Sequence, residues 1–440
     1  MINRLEQFSD LDHLLERIGD AQYVLLGEAS HGTSEFYAWR AEITKRLVAE
    51  KGFSFIALEG DWPDCYRVNR YVKGMAGSGA TAYDVLYAFN RWPTWMWANR
   101  EIVDLVEWLQ SYNSKKAEKQ RQGEEENRNR VGFYGLDVYS LWESLDAVMH
   151  YLQKNYPDAM KSAVEAYRCF EPYGRNVEEY ARATAFIPES CEDEVMNMLV
   201  ELRAKAAADD KKNFKDDGRE AYFNAEQNAV VAKNAELYYR TMVKGGAASW
   251  NVRDHHMMNT LERLMKFHGA EAKSIVWAHN THIGDARATD MRQAKMVNLG
   301  QLAREEAGRD AVVLVGFGTY KGSVIAAKDW GEPMERMPVP DAVGGSWDSF
   351  LHNLANKGRN KLLTFPDAVK ENEIPAESKG QRAIGVVYNP AYEKYGNYVE
   401  TIMSARYDAF LFIDDTHALH PLHMPQSVDE EPPETFPTGL

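Results

Sequence analysis

Tyr23-Val24-Leu25-Leu26-Gly27-Glu28-Ala29-Ser30-His31-Gly32-Thr33-Ser34 runs from an apolar stretch through a glycine-bounded turn into a helix-start signal. Four apolar residues without alternation read as a strand buried on both faces, as in a parallel sheet covered by helices. Gly27 and Gly32 permit a tight strand-to-helix turn with close backbone approach. Thr33 or Ser34 can cap the helix that follows. Glu28 and His31 then lie on the turn, free to face a ligand.

Runs of the same kind recur at Phe53–Leu58, Val131–Tyr134, Ser274–Ala278, Ala311–Val315, Ile384–Tyr388 and Ala409–Ile413. Most are separated by stretches of helical periodicity. The expected fold is α/β, a mostly parallel sheet covered by helices with a large all-helical insertion. The insertion is the stretch from Tyr139 to Gly269, too long for one crossover and without a strand signal. Ala221–Val243 reads as a helix stopped by Gly245-Gly246, and Val252–Phe267 as the next one. The expected division is 1–139 for the first part of the core with the turn, 140–270 for the helical insertion, 271–420 for the rest of the core and 421–440 for an extended, proline-rich tail.

Four of these strands run straight into acids or histidines. Leu26 leads to Glu28 and His31, Leu58 to Glu59 and Asp61, Tyr134 to Asp137, and Ala278 to His279 and His282. Open α/β sheets bind ligands in the crevice at the carboxyl ends of their strands, so these residues are expected to converge on one pocket. A histidine near neutral pH is a natural general base. A carboxylate beside it fixes its tautomer and favours the imidazolium formed on proton transfer. The alternative for this turn is a helix-capping Glu28 and a packed His31. Glu28, His31, Glu59, His279 and His282 also have the residue types of a metal site, yet neither a His-Glu-x-x-His helix nor a Cys-x-x-Cys pair is present.

There is no Gly-x-Ser-x-Gly elbow and no Walker loop, and Gly316-Phe317-Gly318 lacks a third glycine. Attack by an activated water is then the simplest hydrolytic scheme, with Arg40, Arg67 or Arg253 as candidates to stabilise the oxyanion. Surface or structural salt bridges are the plainer roles for these arginines. Trp92, Trp95 and Trp97 read either as walls of a cleft or as core.

The net charge of −15 over 440 residues argues against sequence-independent nucleic-acid binding and against docking on anionic lipid. The charge run Lys115–Arg130 mixes both signs and reads as a solvated loop or helix extension. Cys65, Cys169 and Cys191 have no close spacing, so no disulfide framework and a reducing compartment are expected. The start of the chain reads as an amphipathic helix through Leu11, Leu14, Leu15 and Ile18 rather than a signal peptide. With no apolar run long enough to span a bilayer, the expected location is the cytoplasm.

Taken together, several segments resemble the erythromycin esterase family. They are Gly27–Gly32; Ala57-Leu58-Glu59-Gly60-Asp61-Trp62-Pro63-Asp64 with Arg67-Val68-Asn69-Arg70-Tyr71; Pro93-Thr94-Trp95-Met96-Trp97; Gly135-Leu136-Asp137; Arg253-Asp254; and Trp277-Ala278-His279-Asn280-Thr281-His282. They occur in family order from about residue 20 to 415. The resemblance implies hydrolysis of a macrolactone ester, without a metal or other cofactor, by a water that a histidine activates. It maps the base onto His31 and places Glu28, Arg40, Glu59, His279 and His282 around it. Asp61, Arg67, Trp95, Asp137 and Arg253 are the candidate substrate-binding positions. The expected partner is a small-molecule ester or lactone, and nothing specifies an oligomeric state. Two other readings stay open. One is a metal-dependent hydrolase on the same residues. The other is a non-catalytic binding protein in exopolysaccharide metabolism, since some family members carry a succinoglycan-biosynthesis label.

Overall fold

The computed structural model describes residues 2–122, 130–174, 177–184, 190–209, 216–243, 246–354, 357–365 and 374–423. Its strands are β1 (Ile2–Arg4), β2 (Tyr23–Leu26), β3 (Phe55–Leu58), β4 (Gly132–Gly135), β5 (Ser274–Trp277), β6 (Val312–Ala326), β7 (Glu335–Val339), β8 (Lys361–Thr364), β9 (Lys379–Arg382), β10 (Tyr398–Thr401) and β11 (Ala409–Thr416). The main sheet has the order β1-β8-β11-β6-β2-β5-β3-β4, with β7 paired to the extension of β6 and β9–β10 a separate ribbon. Pairings from β11 through β4 are parallel, and β1, β7 and β8 join antiparallel. The fold is α/β with a mostly parallel sheet.

The apolar runs are continuous because both faces of the sheet are covered. Val24 and Leu26 pack on one side with Ile56, Leu58, Ile275 and Trp277. Tyr23 and Leu25 pack on the other with Phe55, Ala57, Val276 and Leu314. Helix Ser34–Lys51 contributes Phe36, Tyr37, Ile43 and Leu47 to the first core. Helix Ala247–His268 contributes Met257, Leu261 and Leu264 to the second. Between β4 and β5 the described residues form helices and the turns joining them, among them Leu141–Asn155, Met160–Phe170, Glu192–Asp209 and Asp216–Met242. These helices share a core of their own around Leu145, Leu199, Ala232 and Tyr239.

Several expectations are corrected. Ile384–Tyr388 is not a strand: Ile384 bridges Ser30 and Val387 bridges Ala327 singly, and Ile384 and Tyr388 pack in one cluster with Val324 and Ala326 of β6. β6 is far longer than the five residues expected, because glycines at 316, 318 and 322 interrupt the apolar pattern without ending the strand. Cys169 and Cys191 form a disulfide with Cα atoms 5.8 Å apart, joining helix Met160–Phe170 to the residue preceding helix Glu192–Asp209. Sequence spacing gave no sign of it, because packing of the two helices makes the pair. Cysteine usage therefore gives no argument for a reducing compartment. Trp92, Trp95 and Trp97 all enter the first core rather than walling a cleft. The charge run continues helix Arg100–Arg121 as far as Gln122, where the described part ends; residues 123–129, Gly245 and the tail from 424 lie outside the described residues. Among the described residues no helix is long and apolar enough to cross a membrane.

Candidate active site

The carboxyl ends of β2, β3, β4 and β5 lie side by side, and the polar residues that follow them meet there. On the β2 turn, His31 Nδ1 faces Glu28 Oε1 at 3.0 Å, and Arg40 Nη2 donates to Glu28 Oε2 at 2.6 Å. Arg40 is fully buried, and its guanidinium lies 4.4 Å from the Tyr37 ring and 4.5 Å from the Trp277 ring. Its Nη2 is committed to Glu28, which places it in the charged cluster, while Nε and Nη1 have no hydrogen-bond partner among the described residues. The Glu28 carboxylate can only accept, so it favours a proton on His31 Nδ1, and in that neutral tautomer Nε2 is the acceptor nitrogen.

The turn conformation depends on its glycines. A Cβ on Gly32 would collide with the Ile325 carbonyl, and one on Gly27 with the Asn280 side chain. Thr33 occupies the N-cap position of the helix, but its hydroxyl bonds to Ser30 Oγ instead of capping. The first helical N–H, on Ser34, donates to the His417 carbonyl at 2.8 Å.

His279 follows β5, and its ring centroid lies 4.9 Å from that of His31. Its Nδ1 accepts from the Thr281 N–H at 3.3 Å and faces Thr281 Oγ1 at 2.8 Å. This pattern assigns the ring proton to Nε2. Burial and the neighbouring His31 hold His279 well below the usual imidazole range, so the ring is neutral. Its buried Nε2 has no partner of hydrogen-bond geometry, although the Ala29 carbonyl is close enough to favour a proton there. The two rings thus present an acceptor on His31 and, on His279, a donor with only the Ala29 carbonyl nearby.

Glu59 ties β3 to β5, taking the His279 backbone N–H on Oε2 at 2.7 Å. Its Oε1 receives Arg253 Nη2 at 2.7 Å. Against its burial, His282, Arg253 and His31 hold this carboxyl well below the usual range. Arg253 also grips both oxygens of Asp137, at 2.9 and 2.7 Å, and faces the Tyr139 ring. Its Nε and Nη2 are turned to carboxylates and its Nη1 to His282, so it is a cross-link between β3, β4 and helix Ala247–His268.

His282 completes the cluster. Nδ1 lies 3.0 Å from both oxygens of Asp254, and the ring stacks on Trp250 at 4.5 Å, inclined by 8°. Nε2 faces Arg253 Nη1 at 3.0 Å and Glu59 Oε1 at 3.3 Å. The neutral ring would accept from the guanidinium, and the imidazolium donates to the carboxylate. Against the burial that would lower it, Asp254 and Glu59 push His282 up to about 9, so it carries a proton at neutral pH.

Glu28, His31, Arg40, Glu59, Asp137, Arg253, His279 and His282 therefore form one cluster. Asp61 borders it, paired with Arg91 at 2.8 Å. Burial, with Asp64 and Glu143 nearby, raises its carboxyl well above the usual range. Arg67 is half exposed and pairs with Asp64, so its side chain does not join the cluster. Trp95 is fully buried and offers no face to a substrate. Sequence reasoning quoted Asp254 only within the Arg253-Asp254 segment and gave it no role, and it did not single out Trp250, which lies in a first turn of helix Ala247–His268 that the expected helix from Val252 left out. His31 and His279 each keep about 5% of their surface exposed, which makes the cluster nearly closed. A groove lined by Phe53, Ser54, His268 and Lys273 opens at the opposite ends of the strands and holds none of these residues.

The sequence profile of the erythromycin esterase family matches residues 48–416, and the chain belongs to that family. The match begins downstream of the Gly27–Gly32 turn. Erythromycin esterase type II of Escherichia coli is 21% identical over 331 residues, covering 73% of this chain and 74% of that protein. YbfO of Bacillus subtilis is 19% identical over 425 residues, covering 92% of this chain and 86% of that protein. Among solved structures, a succinoglycan biosynthesis protein superposes with a TM-score of 0.72 at 21% identity over 95% of each chain. An erythromycin esterase mutant in its open conformation gives 0.66 at 16% identity, over 94% of this chain and 98% of that one. At such identities the structural likeness shows the fold alone.

Proposed function

We propose that the protein is a hydrolase that opens an ester or lactone by direct attack of water, with His31 as the base. The observation that carries this reading is the complementary state of two adjoining imidazoles: His31 oriented by Glu28 with Nε2 as acceptor, and neutral His279 with a donor at Nε2. His31 Nε2 takes a proton from water as the water oxygen bonds to the carbonyl carbon. The negative charge that develops on the carbonyl oxygen is met by the His279 Nε2–H, a preorganised donor in a water-poor site. When the intermediate collapses, the carbon–oxygen bond breaks and His31 returns its proton to the leaving alkoxide. The products are an acid and an alcohol, and a lactone gives both on one open chain.

Glu28 holds the His31 tautomer and stabilises the imidazolium, while Arg40 fixes Glu28. Glu59 and protonated His282 hold the His279 loop in place. Family membership makes macrolide antibiotics the first substrates to test, and inactivation of such an antibiotic in the cytoplasm is the physiological role this reading suggests. The test is a panel of macrolides and simple esters with wild type and His31→Ala. Hydrolysis by wild type that is lost in a folded His31→Ala variant supports the reading. Full activity in that variant overturns the mechanism. A ligand that raises Tm without being consumed would point instead to a binding protein.

A further inference from the structure

Beyond β11 the chain passes directly over the candidate catalytic turn. Residues 416–422 lie between the start of helix Ser34–Lys51 and the start of helix Arg100–Arg121, and they meet both in the same way. The Ser34 N–H, first in its helix, donates to the His417 carbonyl at 2.8 Å; the Arg100 N–H, first in the other, donates to the His420 carbonyl at 3.0 Å. The second residue of each helix is a glutamate that returns the grip. Glu35 accepts the His417 backbone N–H and faces its Nδ1, both at 2.7 Å. Glu101 accepts the His420 backbone N–H at 3.4 Å and faces its Nδ1 at 2.8 Å. Ser34 Oγ links the two clips by donating to Glu101 Oε1 at 2.5 Å.

Helix N-termini need acceptors for their first N–H groups. For helix Ser34–Lys51 the Thr33 side chain does not supply one, because its hydroxyl is turned to Ser30. The segment from Thr416 onward supplies it, so the start of this helix and the segment depend on each other. Between the clips, Ala418 forms an antiparallel bridge with Thr33. Leu419 donates its N–H to the Gly32 carbonyl at 3.0 Å and buries its side chain in the first core. The same Gly32 carbonyl takes the Ile325 N–H at 3.0 Å. The Gly32–Thr33 peptide, one residue beyond His31, is therefore held from two directions, by β6 and by this segment. On the far side, Leu422 donates to the Ala98 carbonyl at 2.8 Å.

We propose that residues 416–422 are a strap that fixes the His31 turn in its working position, with Glu35 and Glu101 as the positioning residues that hold the strap. This rests on the reading of the His31 turn as catalytic. A displacement of the turn by about an ångström is enough to cost catalysis heavily without removing any reacting group. A purely structural contact would change stability and leave the catalytic constants of the folded enzyme alone.

The experiment compares full-length wild type, Glu35→Ala/Glu101→Ala and Glu35→Gln/Glu101→Gln by hydrogen exchange and by kinetics on whichever ester the wild type hydrolyses. In the alanine pair, exchange over residues 30–36 and 416–422 should quicken at least about tenfold while β2 and β5 exchange as in wild type. Its kcat should fall about tenfold or more with KM within about twofold. The glutamine pair keeps acceptor oxygens and should show the same changes at smaller size. It decides the question if the alanine pair does not fold. Unaltered exchange in the two segments overturns the strap. Faster exchange with unchanged kcat overturns the positioning role. If wild type hydrolyses no ester, the reading of His31 falls, while the exchange result still decides whether Glu35 and Glu101 hold the strap on the turn.

Discussion

The rings of His31 and His279 lie 4.9 Å apart, inclined by 44°, and are in opposite hydrogen-bonding states. Glu28 makes one an acceptor at Nε2, and Thr281 makes the other a donor at Nε2. In the hydrolysis proposed above, the pair would divide the work between a base and an electrophile. His279→Ala should lower kcat by about a hundredfold to a thousandfold, as removal of one oxyanion donor does elsewhere, with a small change in KM. His31→Ala should abolish turnover. Steady-state kinetics beside circular dichroism of each variant checks both outcomes.

Glu28→Gln should be costly twice over. It removes the carboxylate that orients His31, and it leaves Arg40 buried without its ion-pair partner. Breaking a buried pair from one side typically costs about 3–5 kcal/mol. Urea unfolding should show a lower midpoint, and Glu28→Gln/Arg40→Met should recover part of the stability without recovering activity.

Stability should fall on the alkaline side through His282. Its folded pKa of about 9 exceeds the unfolded value, so the contribution is complete below about pH 6.5 and disappears as pH rises through 9. The size of the effect is on the order of 3 kcal/mol. Denaturant melts from pH 6 to 9.5 should show this decline in wild type and lose most of it in Asp254→Asn, while the His282 ring proton titrates in the same window by NMR.

Gly32→Ala should disturb the turn more than its small size suggests. The added methyl group meets the Ile325 carbonyl, which is backbone and cannot swing aside. Overpacking of this kind costs about 1–3 kcal/mol, and the shift it forces falls on the residue next to His31. A larger loss in kcat than in unfolding free energy is the expected pattern.

Chelator treatment should leave activity unchanged. Both oxygens of Glu28 and both of Glu59 are already held by protein donors. Among the described residues no three His, Cys, Asp or Glu side chains are grouped to hold a metal ion. Activity lost to a chelator and restored by a divalent cation would support the metal-dependent reading instead.

The strands that build the site were legible because burial on both faces leaves nearly unbroken apolar runs, and because the chemistry follows each run at once. Other elements left no such trace. β1 is only three residues long, β8 has just two apolar residues between Lys361 and Thr364, β9 is polar, and β7 carries Pro338 at an edge. Ile384–Tyr388 has strand composition but pairs only through isolated bridges, so its apolar residues fill a core without joining a ladder. Within the site, residues at strand ends stood out, whereas Trp250 carried no signal and Asp254 none beyond the Arg253-Asp254 segment. Arg40, Arg67 and Arg253 looked alike in sequence. Only the partners each one meets separate the two buried cross-links from the half-exposed Arg67.

The place of β5 has a consequence for how the chain acquires its shape. β5 lies between β2 and β3, yet it is synthesised after the whole helical insertion. Until residues 274–277 emerge, β3–β4 and β2 have no common neighbour, and each keeps an open hydrophobic edge. Non-local pairing of this kind slows folding and exposes edges to wrong partners. A ribosome stalled before Ser274 should therefore hold an aggregation-prone nascent chain, and emergence of β5 should let β2, β3 and β4, and with them the rim that carries the candidate site, come together in a late step.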